Sequence, residues 1–415
     1  MTDLYKKFLD SRVITTDSRD CPEGSIFFAL KGDNFNGNAY AKSALEKGCA
    51  YAVIDEAQYA EDDRYIVVPD VLTTLQQLAN EHRRALGTPI VGITGTNGKT
   101  TTKELIATVL AKKFNVLYTQ GNFNNHIGVP KTLLRLTKEH EIAVIEMGAN
   151  HPGEIKTLVE IVEPDCGLIT NVGKAHIEGF GSFEGVIKTK GELYDFLRKR
   201  TDSKVFIDTE NPHLMAIAEG LDLVPYVKGE VVACDPFLRF KWRHGGVATH
   251  LIGAYNMKNM LAAATVGLHF GVTPQQINEA LEGYVPSNNR SQLTVTPHNK
   301  LIVDTYNANP TSMMAALNNF VLMAVDSKMA ILGDMGELGS ISHEEHQKII
   351  DFLREHNINN VWLVGKEFGK IESPYRKFAD VGEVKEAIAT ERPEGQYILI
   401  KGSNSNRLFE LPELL

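Results

Sequence analysis

Clustered cysteines are missing from this chain: Cys21, Cys49, Cys166 and Cys234 are the four present among 415 residues, and they lie far apart. Without a CxxC pair there is no zinc-site spacing and no disulfide framework, which fits a reducing compartment. Positive charge is not in excess either. A formal net charge of -9 is opposite in sign to the basic faces of polyanion binders, so no nucleic-acid partner is expected. No uninterrupted apolar run approaches the ~20 residues that span a bilayer, and the opening MTDLYKKFLD has no apolar signal core. A cytoplasmic protein without membrane insertion is the expectation. Internal repeats and low-complexity tracts are also absent.

The chain is long enough for two or three hydrophobic cores. Its first stretch alternates short β-rich runs (25–30, 51–54, 65–68) with a helix over 39–47, then a helix over 72–86 that stops at Gly87 with Pro89 just beyond. Residues 1–86 read as a small N-terminal α/β domain. Apolar strands at 90–94, 143–146, 167–170 and 205–208 then alternate with helices, the pattern of a parallel sheet covered on both faces. Residues 87–295 are thus a central nucleotide-binding domain. After Pro286 the pattern restarts, with strands at 301–304, 329–333, 361–364 and 397–401 and helices at 312–325 and 343–356. Residues 296–415 form a third, Rossmann-like domain, and the fold class is α/β throughout.

The central stretch carries the strongest chemical signal. Gly92-Ile93-Thr94-Gly95-Thr96-Asn97-Gly98-Lys99-Thr100 follows a predicted strand and opens a predicted helix. There, backbone N–H groups and a helix N-terminus can surround a phosphate chain. Lys99 would pair with the β- and γ-phosphates and Thr100 would complete a Mg2+ shell. The generic phosphate-loop pattern has glycine where Ile93 stands, so this is a variant. ATP or GTP binding follows, but motors, switches, kinases and ligases share such a loop.

Glu146 ends an apolar strand, where a wound sheet offers side chains to ligand, and is placed to hold Mg2+. His176 follows another strand end and could supply or position a metal ligand; taken alone, such a histidine is more often a loop or core residue. Lys188 and Lys190 sit on a predicted helix and by spacing alone form a solvated basic face.

Longer strings add to this. Besides the loop, the chain contains Gly121-Asn122-Phe123-Asn124-Asn125-His126-Ile127-Gly128-Val129-Pro130, Glu146-Met147-Gly148-Ala149-Asn150-His151-Pro152-Gly153-Glu154-Ile155 and Ala175-His176-Ile177-Glu178-Gly179-Phe180-Gly181-Ser182. In these it resembles the Mur ligases, and within them the branch that adds D-alanyl-D-alanine, with Tyr306-Asn307-Ala308-Asn309-Pro310 as that branch's signature. The resemblance spans essentially the whole chain. It implies a cytoplasmic ATP-dependent ligase of peptidoglycan synthesis, serving cell-wall biogenesis, shape and division. The implied reaction joins D-Ala-D-Ala to UDP-N-acetylmuramoyl-tripeptide through an acyl phosphate, and the implied state is a monomer.

The same resemblance implies residue roles. Gly95, Thr96, Asn97, Gly98, Lys99, Thr100 and Thr101 would hold ATP phosphates, Asn256 and Asn259 the adenine, Arg290 the phosphates and Asp304 the ribose. An Asn amide both donates and accepts, which suits the adenine edge; read alone, Asn256 would cap the next helix. Two Mg2+ ions are implied, with Thr100, Glu146, His176 and Lys190 around them. Lys190, favoured over Lys188, would be carbamylated by CO2, and Lys99, Lys190 and His176 would be the catalytic set. Ser18, Arg19, Lys31 and Gly32 would meet the UDP moiety, and Asn122, Asn124, Asn125, Tyr306, Asn307 and Asn309 the substrates. The family's closing Lys-Gly-Ser-Arg reads Lys401-Gly402-Ser403-Asn404 here, with Arg407 three residues on, which alters the element expected to meet the dipeptide. Rival readings are another Mur-type or folylpolyglutamate-synthase-like amide ligase, and a phosphate-loop ATPase switch.

Overall fold

The computed structural model describes residues 1–286, 290–325 and 327–415. Three wound α/β sheets follow one another along the chain. The first has four parallel strands in the order Ile14–Thr15, Ile26–Phe28, Tyr51–Ile54, Tyr65–Val67. Helix Val71–Leu86 closes this unit: Asp70 accepts from Thr73 N at 2.6 Å at one end, and Gly87, at φ 68°, stops the other.

The second sheet has six parallel strands, ordered Leu223–Pro225, Lys204–Ile207, Cys166–Ile169, Ile90–Thr94, Ile142–Glu146, Val116–Tyr118. Its central strands are buried along their whole length, which is why they read as unbroken apolar runs. The third sheet runs Gln292–Val295, Lys300–Asp304, Tyr397–Lys401, Lys328–Gly333, Val361–Val364, Arg376–Phe378; only the first of these strands is antiparallel to its neighbour.

Several elements differ from the sequence reading. The helix expected over 39–47 is a 3-10 turn, Gly37–Tyr40, followed by Ala41–Glu46. The helix expected over 312–325 is Pro310–Leu322: Asn309 accepts from Ser312 N, and Pro310 takes the first turn, where its missing N–H does no harm. An antiparallel meander of Gly229–Cys234, Phe237–Trp242 and Gly245–Ile252 was not anticipated. No described helix is long and apolar enough to cross a membrane.

One buried histidine ties the first two units together. His82 Nε2 lies 2.9 Å from Leu136 O and Nδ1 lies 3.1 Å from Tyr5 OH, a pattern satisfied by the neutral ring with its proton on Nε2. Burial pulls its pKa below the ordinary histidine value, and the Arg12 charge adds to this. The unfolded chain therefore binds a proton at His82 before the folded one does, and stability falls as pH drops below the unfolded value of about 6.5. Melting temperatures compared between about pH 7.5 and about pH 5.5 should drop more in the native chain than in His82→Gln; equal drops would remove His82 from the acid response.

Candidate active site

The carboxyl ends of the two six-stranded sheets face each other across a cavity of about 1020 Å³. Wound sheets place ligands at this edge. Strand Ile90–Thr94 runs into the turn at Gly95, and helix Lys99–Leu110 begins just beyond. Ile93 lies within the strand, in register with Glu146 and Leu168; the loop starts two residues later, so no glycine is needed there. Glycine is required at two other positions. Gly95 has φ 143° and an added Cβ would lie 2.0 Å from Thr170 Oγ1; Gly98 has φ 75° and its Cβ would meet Asn259 Oδ1 at 2.8 Å.

Lys99 bends back over the loop, donating to Gly95 O at 2.8 Å and Thr96 O at 3.0 Å. Burial, with the Arg290 charge adding and Glu146 opposing, pulls its pKa down to about 8. An anion arriving at the loop would restore the ammonium. Asn97 is fixed by Asn171 on one side and exchanges amide hydrogen bonds with Asn309 on the other, at 2.8 and 3.4 Å. Asn309 thus caps its own helix and bridges the two sheets' loops.

Glu146 Oε1 accepts from Thr100 Oγ1 at 3.2 Å and Asn124 Nδ2 at 2.8 Å. Its Oε2 is buried without a hydrogen-bond partner among the described residues. An unpaired carboxylate oxygen beside a hydroxyl and a phosphate loop is a donor set for a hard cation, since Mg2+ takes one or two carboxylates plus phosphate oxygens and water. Behind it, Glu146 N donates to Thr119 Oγ1 at 3.0 Å while the fully buried Lys103 donates to Thr119 O at 2.7 Å. Sequence reasoning missed this buttress, because a lysine one turn into a helix looks like surface.

His176, at φ 51°, turns its Nδ1 to Glu337 Oε2, reaching the third sheet's loops and leaving Nε2 without a hydrogen bond among the described residues. Burial lowers its pKa against the opposing pull of Glu337. Lys190 does not line the cavity. It is 2% exposed, donates to Ala149 O at 3.1 Å and sits 5.0 Å from the Phe180 ring centre. Burial first, then the Lys99 charge, pull its pKa well below the ordinary lysine range, which favours the neutral amine. The solvated-face reading therefore fails for Lys190, which is core, and holds for Lys188, which is exposed.

Asn256 does not cap its helix: it is the first helical residue, after Tyr255, and donates to Ile252 O at 2.8 Å. Asn259 donates to Asn256 Oδ1 and accepts from Thr102 Oγ1. Both asparagines line the cavity, as do Thr96, Asn97, Gly98, Thr101, Asn122, Asn124, Asn125, Tyr306 and Asn307. The Arg290 guanidinium stacks 3.8 Å over the Tyr306 ring. Asp304 is held by the buried Lys401 at 2.6 Å, from the neighbouring strand. Lys401 and Glu337 were not singled out as site residues in the sequence; both line the cavity. Asn404 also lines it, whereas Arg407 turns to Glu410 and does not replace the missing arginine.

Ser18, Arg19, Lys31 and Gly32 lie outside this cavity. Arg19 forks onto Asp17, and Lys31 lies 2.9 Å from both Asp55 and Glu56. The basic loop is thus already neutralised by its own carboxylates. Lys131, from the second unit, reaches Thr16 Oγ1 at 3.3 Å and was missed in the sequence.

Sequence patterns of known families match along the chain: the Mur ligase family catalytic domain over residues 11–83, the Mur ligase middle domain over 93–267 and the Mur ligase glutamate ligase domain over 289–404. The chain belongs to the Mur ligase family. A Mur ligase of Bacillus subtilis (strain 168), UDP-N-acetylmuramoyl-tripeptide--D-alanyl-D-alanine ligase, is 33% identical over 96% of this chain and 92% of its own length. Among solved Mur ligases, MurF from Acinetobacter baumannii superposes with a TM-score of 0.85 at 30% identity, covering 96% of this chain and 93% of that one. MurF from Thermotoga maritima in complex with ADP gives 0.87 at 27% identity, covering 100% and 98%.

Proposed function

We propose that this Mur ligase joins D-alanyl-D-alanine to UDP-N-acetylmuramoyl-tripeptide at the expense of ATP, giving the pentapeptide precursor of peptidoglycan. The observation that carries the reading is the near full-length likeness to curated ligases of that name, joined to a cavity holding a phosphate loop and an unpaired carboxylate oxygen. We assign residues 1–86 to the UDP end of the acceptor, 87–295 to ATP and 296–415 to the incoming dipeptide. The enzyme is read as a cytoplasmic monomer with small-molecule substrates.

A carboxylate is a poor electrophile, because its charge repels a nucleophile and its oxygen leaves badly. The terminal carboxylate of the tripeptide attacks the γ-phosphorus of ATP, the bond to the ADP oxygen breaks, and an acyl phosphate forms. Lys99 leaves the carbonyls of Gly95 and Thr96 to meet the β- and γ-phosphates, and the backbone N–H groups of 98–100, at the start of the helix, complete the cradle, while those of Thr96 and Asn97 stay on Asn171. Thr100 and Glu146 would hold one Mg2+; Lys190, as its carbamate, and His176 through Nε2 would hold a second. Bound there, Mg2+ disperses phosphoryl charge. CO2 adds to a neutral amine, which the burial of Lys190 favours. Asn256 and Asn259 meet the adenine, Arg290 the phosphates and Asp304 the ribose. The dipeptide amine then attacks the acyl carbon and phosphate departs. Holding three substrates between two sheet edges supplies the positioning, and excluding water protects the acyl phosphate.

Phosphate release from ATP, with the tripeptide nucleotide and D-Ala-D-Ala given separately and together, tests this. The expected result is release requiring both, a product heavier than the acceptor by the dipeptide less water, and a slower rate after CO2 depletion. Brisk hydrolysis with neither substrate and no pentapeptide would overturn the reading in favour of an ATPase switch.

A further inference from the structure

Among the described residues, four carboxylates line the cavity: Glu146, Glu154, Asp304 and Glu337. Three are committed. Glu146 Oε1 accepts from Thr100 and Asn124, and its other oxygen is walled in beside the phosphate loop. Glu154 Oε2 accepts from Asn150 N at 2.6 Å and His151 N at 3.0 Å. Asp304 is held by Lys401.

Glu337 differs from these. Its side chain is 57% exposed, one oxygen takes His176 Nδ1, and the other accepts no hydrogen bond among the described residues. It follows strand Lys328–Gly333, across the cavity from the phosphate loop. The turn is pinned on both sides: Gly336 N donates to Ser403 Oγ at 2.9 Å, and Glu178 N, from the second unit, donates to Glu337 O at 3.3 Å. The carboxylate is therefore presented from a held backbone.

We propose that Glu337 anchors the ammonium of the incoming dipeptide, as a positioning residue for the ligation; this rests on the reading given under Proposed function. An amine nucleophile enters from water as a cation. The cavity's basic groups, Lys99, Arg290 and Lys401, suit phosphates and carboxylates and repel an ammonium. Glu337 is the lining carboxylate with an open oxygen on the sheet that faces the acyl phosphate. A carboxylate oxygen with free lone pairs makes the strong, charge-assisted bond that an ammonium seeks.

Glu337→Gln keeps the shape and removes the charge. The KM for D-Ala-D-Ala should rise by about tenfold to a hundredfold, the range of a hydrogen bond to a charged group, and by clearly more than the KM for ATP or for the tripeptide nucleotide, which a loosened His176 can also raise. A second measurement separates charge recognition from general damage: N-acetyl-D-Ala-D-Ala, which has no ammonium, should inhibit the native enzyme and the variant with equal Ki. An unchanged dipeptide KM, or an acetylated dipeptide weakened as much as the dipeptide itself, would overturn the proposal. Should the native enzyme make no pentapeptide, the underlying reading fails instead, before any variant is compared.

Discussion

Lys99→Met will release phosphate from ATP on the order of a hundredfold to a thousandfold more slowly than the native chain, the loss that follows removal of one charge-stabilising donor. The reason lies in what the lysine does without nucleotide. Its ammonium is parked on the Gly95 and Thr96 carbonyls, and burial has already brought its pKa down to about 8. A cation held at that disadvantage gains most when a polyphosphate arrives, and gains again as charge builds on the transferred phosphoryl group. Methionine fills the same length and leaves the helix intact, so ADP should still bind, more weakly, as titration calorimetry would register. A variant that keeps a tenth of the native rate would show that the loop's backbone, not its lysine, carries the stabilisation.

The second large effect belongs to Glu146, and it has two parts of opposite sign. Glu146→Gln should lower the rate by roughly a hundredfold or more, because a neutral amide in place of the carboxylate forfeits several kcal/mol of cation binding at the phosphoryl group. The Mg2+ concentration for half-maximal rate should rise with it. Without Mg2+, however, the same change should raise the melting temperature. The native carboxylate buries one oxygen with no hydrogen-bond partner among the described residues, and that desolvation is expected to outweigh the attraction of the Lys99 and Lys103 charges; an amide can keep the bonds to Thr100 and Asn124 with less of it. A native rate at unchanged Mg2+ would remove Glu146 from the metal site, and a lowered melting temperature would mean that Oε2 is satisfied in a way the hydrogen-bond pattern does not reveal.

Both residues drew attention in the sequence for the same reason: Glu146 ends a buried strand and Lys99 opens the helix just after another, and buried parallel strands are unbroken apolar runs. The phosphate loop was also contiguous, so one segment announced it. The meander of 229–252 escaped although Phe237–Trp242 alternates faithfully, with Leu238, Phe240 and Trp242 buried and Arg239 and Lys241 exposed. Its partner strand turns Val231 and Val232 outward, so apolar residues there mark no core face. The contacts that complete the site were illegible on principle. Asp304 and Lys401 are 97 positions apart, and His176 and Glu337 161 apart; no local period connects them. Lys190 misled in the opposite direction and Lys103 drew no notice, because a buried lysine has no signature that separates it from a solvated one until the packing around it is known.

The facing of two sheet edges has a consequence for how such a ligase can diversify. On the assignment proposed above, the group that is activated and the group that attacks are presented by loops on different sheets, which meet at the Asn97–Asn309 and His176–Glu337 contacts. Loops beyond 300–304, 328–333 and 397–401 can change length and composition to admit another amine while the phosphate loop, Glu146 and the buttress behind it stay as they are. Novelty in the nucleophile then needs no new chemistry, only a new rim on one side of an old seam.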